Sequence, residues 1–259
     1  MRILITNDDG INAKGIKILE NVARSISDDV WVVAPAFDQS GVSHSLTLRK
    51  PLRVEEIDDR HFAVVGTPTD CIMLARNTIM PDFIPDLVLS GINNGANLAE
   101  DITYSGTVAG AIEATLFDIP AVAISMVIEN KKPTNWDLAS AVLPDLLKKV
   151  LTFNWQKGVL LNVNMPNVAE NQIMGVKVSE QGQRLISENI IARFDPRGKP
   201  YYWVGGAEHR YEDIWHHAKE GTDLEAIGKK FISITPLSVN MTHKPSEKKL
   251  KEIFNNEQI

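Results

Sequence analysis

The run Arg2-Ile3-Leu4-Ile5-Thr6-Asn7-Asp8-Asp9-Gly10 decides the fold class. A short β-rich stretch, Arg2 to Thr6, ends directly on a polar turn with two adjacent carboxylates. Helical spacing follows: between Gly15 and Ser25 and just beyond, apolar residues fall at positions 16, 18, 19, 22, 23 and 26. Val30 to Ala34 is then a continuous apolar run, as expected of a strand covered on both faces. Strand, helix, strand is the signature of a βαβ unit and a mostly parallel sheet.

The same rhythm continues outward. Strands are expected at Phe62–Val65, Asp86–Ser90, Ala121–Ser125 and Gly158–Val163. Helices are expected over Gly106–Phe117 and Asn135–Val150, and from Thr67 to about Thr78. For the last of these, Thr67 caps, Pro68 takes the first position and Asp70 the third. Helices of this kind cover both faces of the sheet, an α/β fold in layers. After about Val168 the pattern changes. Short strands are expected at Val176–Glu180 and Phe231–Thr235, and a short helix at Asp223–Ile227. Two β-like runs flank Pro196, Gly198 and Pro200, which makes 188–204 a hairpin arm. The charged tail from Lys244 reads as a short exposed helix or frayed end. With no repeat or linker, 1–259 reads as one domain: a catalytic core over 1–168 and a C-terminal elaboration over 169–259.

Composition narrows the function classes. The chain has 259 residues, with 27 Lys and Arg against 33 Asp and Glu, a net charge of −6. That balance argues against a nucleic-acid polymer as partner. A single Cys excludes an intrachain disulfide framework and a cysteine-based zinc site. No stretch approaches the ~20 apolar residues of a membrane span, and the N-terminus lacks a signal-peptide pattern, so a cytoplasmic, membrane-free protein is expected.

Open parallel sheets bind ligands at the carboxyl ends of their strands. Four segments there carry unusual polar groups. Asp8 and Asp9 disfavour each other's charge unless a hard cation such as Mg²⁺ or Mn²⁺ lies between them. A surface Asp-Gly turn is the plainer alternative. The loop 35–45 offers Ser40-Gly41 as a tight turn with a hydroxyl, and His44 as an acid–base group or a structural histidine. The loop 91–97 packs Asn93, Asn94 and Asn97 between glycines, and residue chemistry leaves open which one would bind a cation. Ser105-Gly106-Thr107 opens a helix, where free N–H groups and hydroxyls suit phosphate, or where Ser105 is simply a cap. Two carboxylates, a hydroxyl, an amide and a helix N-terminus together fit a metal-assisted phosphate enzyme. A nucleotide-sensing protein without turnover is the alternative; the acidic pair argues against it, since a plain phosphate binder gains nothing from it. Neither a Gly-x-Ser-x-Gly elbow nor a Walker loop is present.

These segments resemble the SurE family of survival proteins and nucleoside monophosphate phosphohydrolases. The resemblance lies in residues 2–10, Val33-Ala34-Pro35, Gln39-Ser40-Gly41, His44 to Leu48, Gly66 to Cys71, Ser90 to Asn97, Tyr104 to Val108, Asp195 to Gly198 and Ile232 to Leu237. It runs from residue 1 to about 242. Ala36 stands where members often carry Asp, and Ser238 and Asn240 also depart from the common pattern. The resemblance implies a Rossmann-like core and one divalent cation, Mn²⁺ or Mg²⁺, held by Asp8, Asp9, Ser40 and Asn93. It implies a phosphate pocket lined by Asn97, Ser105, Gly106 and Thr107. It implies hydrolysis of nucleoside 5′-monophosphates, with 3′-monophosphates and short polyphosphate as further substrates, Asp8 or Asp9 taking the proton of water. It also implies a homodimer or homotetramer formed through the C-terminal arm.

Overall fold

The computed structural model describes residues 1–129, 132–183, 190–204, 215 and 218–254. Its first strands and helices are β1 (Arg2–Thr6), α1 (Lys14–Arg24), β2 (Asp29–Pro35), β3 (Val54–Asp58), β4 (His61–Val64) and α2 (Pro68–Leu74). There follow β5 (Leu87–Asn94), α3 (Gly106–Leu116), β6 (Ala121–Met126), α4 (Trp136–Val150) and β7 (Val159–Met165). The C-terminal part adds β8 (Val176–Val178), β9 (Ile190–Phe194), β10 (Pro200–Val204), α5 (Asp223–Gly228), β11 (Ile232–Ser238) and α6 (Lys244–Phe254).

Nine strands form one sheet in the order β3-β4-β2-β1-β5-β6-β7-β11-β8. The six central strands, β4 to β7 in that order, are parallel. β3 runs antiparallel to β4, and β11 antiparallel to β7. The apolar runs alternate between two covered faces. Ile3 and Ile5 of β1 pack with Ile16 and Leu19 of α1 and with Leu138 and Leu143 of α4. Leu4, between them, packs with Cys71 and Ile72 of α2 and Val108 and Ala111 of α3. Removing one such fully buried side chain, Leu89→Ala for instance, would cost about 2–5 kcal/mol.

Local chemistry sets the helix starts. Thr67 accepts from the Asp70 N–H at 3.2 Å, and Asp70 Oδ2 accepts from the Thr67 N–H at 2.8 Å, a reciprocal capping box before α2. α2 passes into a wider π turn at Ala75–Ile79, which together fill the expected extent to about Thr78. Cys71 is fully buried in this layer, and burial pushes its thiol well up.

Three departures from the sequence expectation have physical causes. β3 was not expected: its Val-Glu-Glu-Ile-Asp run is exposed at every position, so no alternation marks it. β5 does not stop at Ser90 but runs on to Asn94 through an irregularity between Ser90 and Asn93. Gly91 makes this possible, because a Cβ there would stand 2.3 Å from the Ile124 carbonyl oxygen. β11 extends through Pro236, which lies beyond the reach of β8 and so leaves no ladder bond broken on that side.

β9 and β10 form their own two-stranded antiparallel sheet. It is the expected arm, of which residues 188 and 189 lie outside the described residues. Among the described residues no helix is long and apolar enough to cross a membrane.

Candidate functional site

The sheet order fixes where a ligand can bind. After β1 the chain goes to β2 on one side and later to β5 on the other. The carboxyl ends of β1 and β5 therefore flank the topological switch point, where loops diverge and leave a crevice. Thr6 of β1 is in register with Ser90 of β5, so Asp8–Asp9 and Asn93–Asn94 emerge side by side. A cleft of about 270 Å³ lies there, lined by Asp8, Asp9, Ser40, Gly41, Asn93 to Asn97, Asp101, Tyr104, Ser105 and Ile128.

Each wall is tied to the next. The Asn7 side chain closes the first turn by donating to the Gly10 carbonyl at 2.9 Å. The Asp8 carbonyl accepts from the Gln39 N–H at 2.7 Å, which brings the β2 loop against it. Ser40 donates its hydroxyl hydrogen to Asp38 at 2.6 Å. Ser43 donates to the Thr103 carbonyl at 2.7 Å, which anchors the same loop beside α3. Asn94 donates its N–H to Asp9 Oδ2 at 3.1 Å. The side chain of Asn93 donates to the Gly95 carbonyl at 2.8 Å, and its Oδ1 accepts no hydrogen bond among the described residues.

The two carboxylates carry unrelieved charge. Asp8 is 4% exposed. Burial pushes its carboxyl up to about 6, the Thr107 hydroxyl partly offsets this, and the charge of Asp9 adds to it. Burial raises Asp9 as well, the Asn94 N–H opposing and Asp38 reinforcing the shift. Among the described residues, neither carboxylate has a Lys or Arg partner. Buried acid without a cationic side chain is the electrostatic setting that a divalent cation relieves.

The donor set fits such a cation. No three His, Cys, Asp or Glu side chains among the described residues form a metal-binding group. The carboxylates of Asp8 and Asp9 and the neutral oxygens of Ser40 and Asn93 share the cleft, a hard-oxygen donor set of the kind that could hold Mg²⁺ or Mn²⁺.

The structure brings Asp8, Asp9, Ser40, Asn93, Asn97 and Ser105 into one cleft. Gly106 and Thr107 do not line this cleft themselves and lie directly against Asp8, which does. Thr107 donates its hydroxyl to Asp8 Oδ1. Gly106 faces the same side chain, where a Cβ would lie 2.8 Å from the Asp8 Cβ. Ser105 both caps α3, accepting from the Val108 N–H at 3.0 Å, and reaches the cleft. His44 pairs with Glu113 of α3 at 2.8 Å and is not on the lining.

Sequence reading missed Asp38, Asp101 and Ile128 around the cleft. It also missed three buried polar residues behind it, Ser125, Asn162 and Asn164. The Asn pair had one visible signal: two amides two residues apart inside an apolar strand. Ile128 had none.

Comparison with known proteins bears on the family and the fold. A family model described as "Survival protein SurE" matches residues 3–188. A protein of Paramagnetospirillum magneticum named "5′-nucleotidase SurE" is 49% identical, covering 98% of this chain and 96% of its own. A protein of the same name from Bradyrhizobium diazoefficiens is 47% identical, covering 94% and 95%. The crystal structure of a SurE protein from Aquifex aeolicus superposes with a TM-score of 0.84 at 40% identity, covering 98% of this chain and 99% of that one. The fold, the run of matched residues and the relatives agree: the chain belongs to the SurE family.

Proposed function

We propose that the chain is a divalent-cation-dependent phosphomonoesterase that hydrolyses nucleoside 5′-monophosphates, and also 3′-monophosphates and short polyphosphate. The observation that carries this reading is the pair Asp8 and Asp9, both raised by burial, in a cleft with Ser40, Asn93, Asn97 and Ser105. Relatives named 5′-nucleotidase support the nucleotide as substrate.

Asp8, Asp9, Ser40 and Asn93 would hold one Mn²⁺ or Mg²⁺. When bound, such a cation withdraws charge from a phosphoryl oxygen and eases deprotonation of water. The remaining work falls to side chains. Thr107 fixes the orientation of Asp8. Asp8 or Asp9 would accept the proton of an attacking water; Asp9 is bonded through Oδ2 to the Asn94 N–H, which leaves its Oδ1 available. Asn97 and Ser105 take the other phosphoryl oxygens, where negative charge develops in the transition state.

The hairpin β9–β10 supports a further part of the reading, a homodimer or homotetramer. Tyr201 and Trp203 on one face, and Phe194 and Tyr202 on the other, are all exposed. A two-stranded sheet with apolar residues on both faces is marginal in water by itself, and a second copy would cover it.

The experiment is phosphate release from AMP with Mn²⁺, before and after EDTA. Release that stops on chelation and returns with the cation supports the proposal. Tight nucleotide binding with no phosphate released in either state overturns it in favour of a sensor.

A further inference from the structure

Asn162 and Asn164 lie two residues apart on β7, and both are fully buried. They therefore share one face of the strand. Amides in the middle of an apolar strand are unfavourable unless their hydrogen bonds are met. Asn164 meets both of its bonds on a single residue of the cleft, and Asn162 makes one there, its Oδ1 accepting none among the described residues. Asn164 Oδ1 accepts from the Asn97 N–H at 2.8 Å, and its Nδ2 donates to the Asn97 carbonyl at 3.0 Å. Asn162 Nδ2 donates to that same carbonyl at 2.8 Å.

The hold extends to the Asn97 side chain. Its Nδ2 donates to Ser125 Oγ at 2.8 Å, and Ser125 is the register partner of Asn164 on the neighbouring strand β6. One amide hydrogen of Asn97 is thereby committed, which leaves the other hydrogen and Oδ1 for the cleft. Two residues on, Ala99 is gripped in the same manner. Its N–H donates to Asp223 Oδ2, and its carbonyl accepts from Gln181 Nε2, both at 2.9 Å. Between β5 and α3, side chains from β6, β7 and the C-terminal elaboration replace the ladder that a strand would supply.

We infer that Asn164, assisted by Asn162, is a positioning residue that sets Asn97 where the phosphoryl group is held. The inference rests on the reading of this cleft as a phosphate site. It concerns the phosphate wall alone, because none of these bonds touches Asp8, Asp9, Ser40 or Asn93.

The test uses the full chain and two titrations: Mg²⁺ alone, and inorganic phosphate with Mg²⁺ present. Asn164→Leu keeps the size and removes both hydrogen bonds. Phosphate affinity is expected to fall by about tenfold or more, as for a binding group displaced by a fraction of an ångström, while Mg²⁺ affinity stays at the parent value. An unchanged phosphate affinity overturns the inference. So does loss of phosphate and Mg²⁺ affinity together, which would mark a merely structural role. If Asn164→Leu does not fold, Asn162→Ala removes one of the two donors to the Asn97 carbonyl and is expected to weaken phosphate alone; no change overturns the inference. A parent chain that binds phosphate but releases none from AMP would sink the nucleotidase reading and leave this inference standing.

Discussion

Thr107 donates its hydroxyl hydrogen to Oδ1 of Asp8, so the first turn of α3 is anchored on the carboxylate that ends the β1 loop. The pairing holds a buried, 4% exposed acid in one orientation and lowers a carboxyl that burial has raised. Thr107→Val keeps the branched shape and loses the donor. A hydrogen bond to a charged group contributes about 1.5–3 kcal/mol, so stability should fall by an amount in that range, and activity with it. Thermal unfolding and AMP hydrolysis read both, and Thr107→Ser should restore much of each. Parent-like stability and activity in the valine variant would contradict this role.

Gly106 is required by close approach rather than by helix geometry. A methyl group there would meet the Asp8 Cβ at 2.8 Å and Oδ2 at 2.9 Å. Gly106→Ala should therefore displace Asp8 and lower stability by about 1–3 kcal/mol, although alanine is the better helix former. A denaturant titration showing a stabilised variant would refute the contact.

The raised carboxyl of Asp8 makes the metal-free chain pH-sensitive in a direction opposite to that of a salt-bridged acid. Its ordinary value is 3.8 and its folded value about 6. Below pH 3.8 both states hold the proton and the group has no effect on stability. As pH rises from there to about 6, the unfolded chain ionises first, so stability is lost. Above that window the penalty is complete, about 3 kcal/mol. In EDTA, the stability of the parent relative to Asp8→Asn should fall across this interval. Mg²⁺ should raise the melting temperature more at pH 7 than at pH 5, because at the lower pH it must displace a proton. A difference that rises with pH would contradict the assignment.

Much of this architecture is legible in the residues. β1, β2 and β6 are continuous apolar runs because both their faces are covered, and Thr67-Pro68 spells the start of α2. β3 is illegible because a fully exposed edge strand has no buried face to alternate with. The end of β5 hides in residues that look like a turn; only the approach of the Gly91 backbone to Ile124 lets the strand continue. Within the site, Asp8, Asp9, Ser40 and Asn97 are visible as polar residues leaving strands. Thr107 is visible as a helix start, but its partner Asp8, 99 positions away, is not. Asn162 and Asn164 are a tertiary device, and their meaning depends on a loop 65 and 67 residues earlier in the chain.

The arm offers a test that is independent of chemistry. Phe194 is 71% exposed and Trp203 63%, on opposite faces of the hairpin. Changing both to Ser should shift the mass in light scattering from a dimer or tetramer toward a monomer and leave the cleft intact. A monomeric parent, or a double variant with unchanged mass, would contradict assembly through the arm.

The central claim is that Asp8 and Asp9 make the cleft a cation-dependent phosphate site. The most direct measurement is AMP hydrolysis by Asp9→Asn in saturating Mn²⁺, alongside circular dichroism to show that it is folded. The expected result is a folded variant whose phosphate release has dropped to the level of the EDTA-treated parent. A folded variant that hydrolyses AMP at the parent rate would contradict the account.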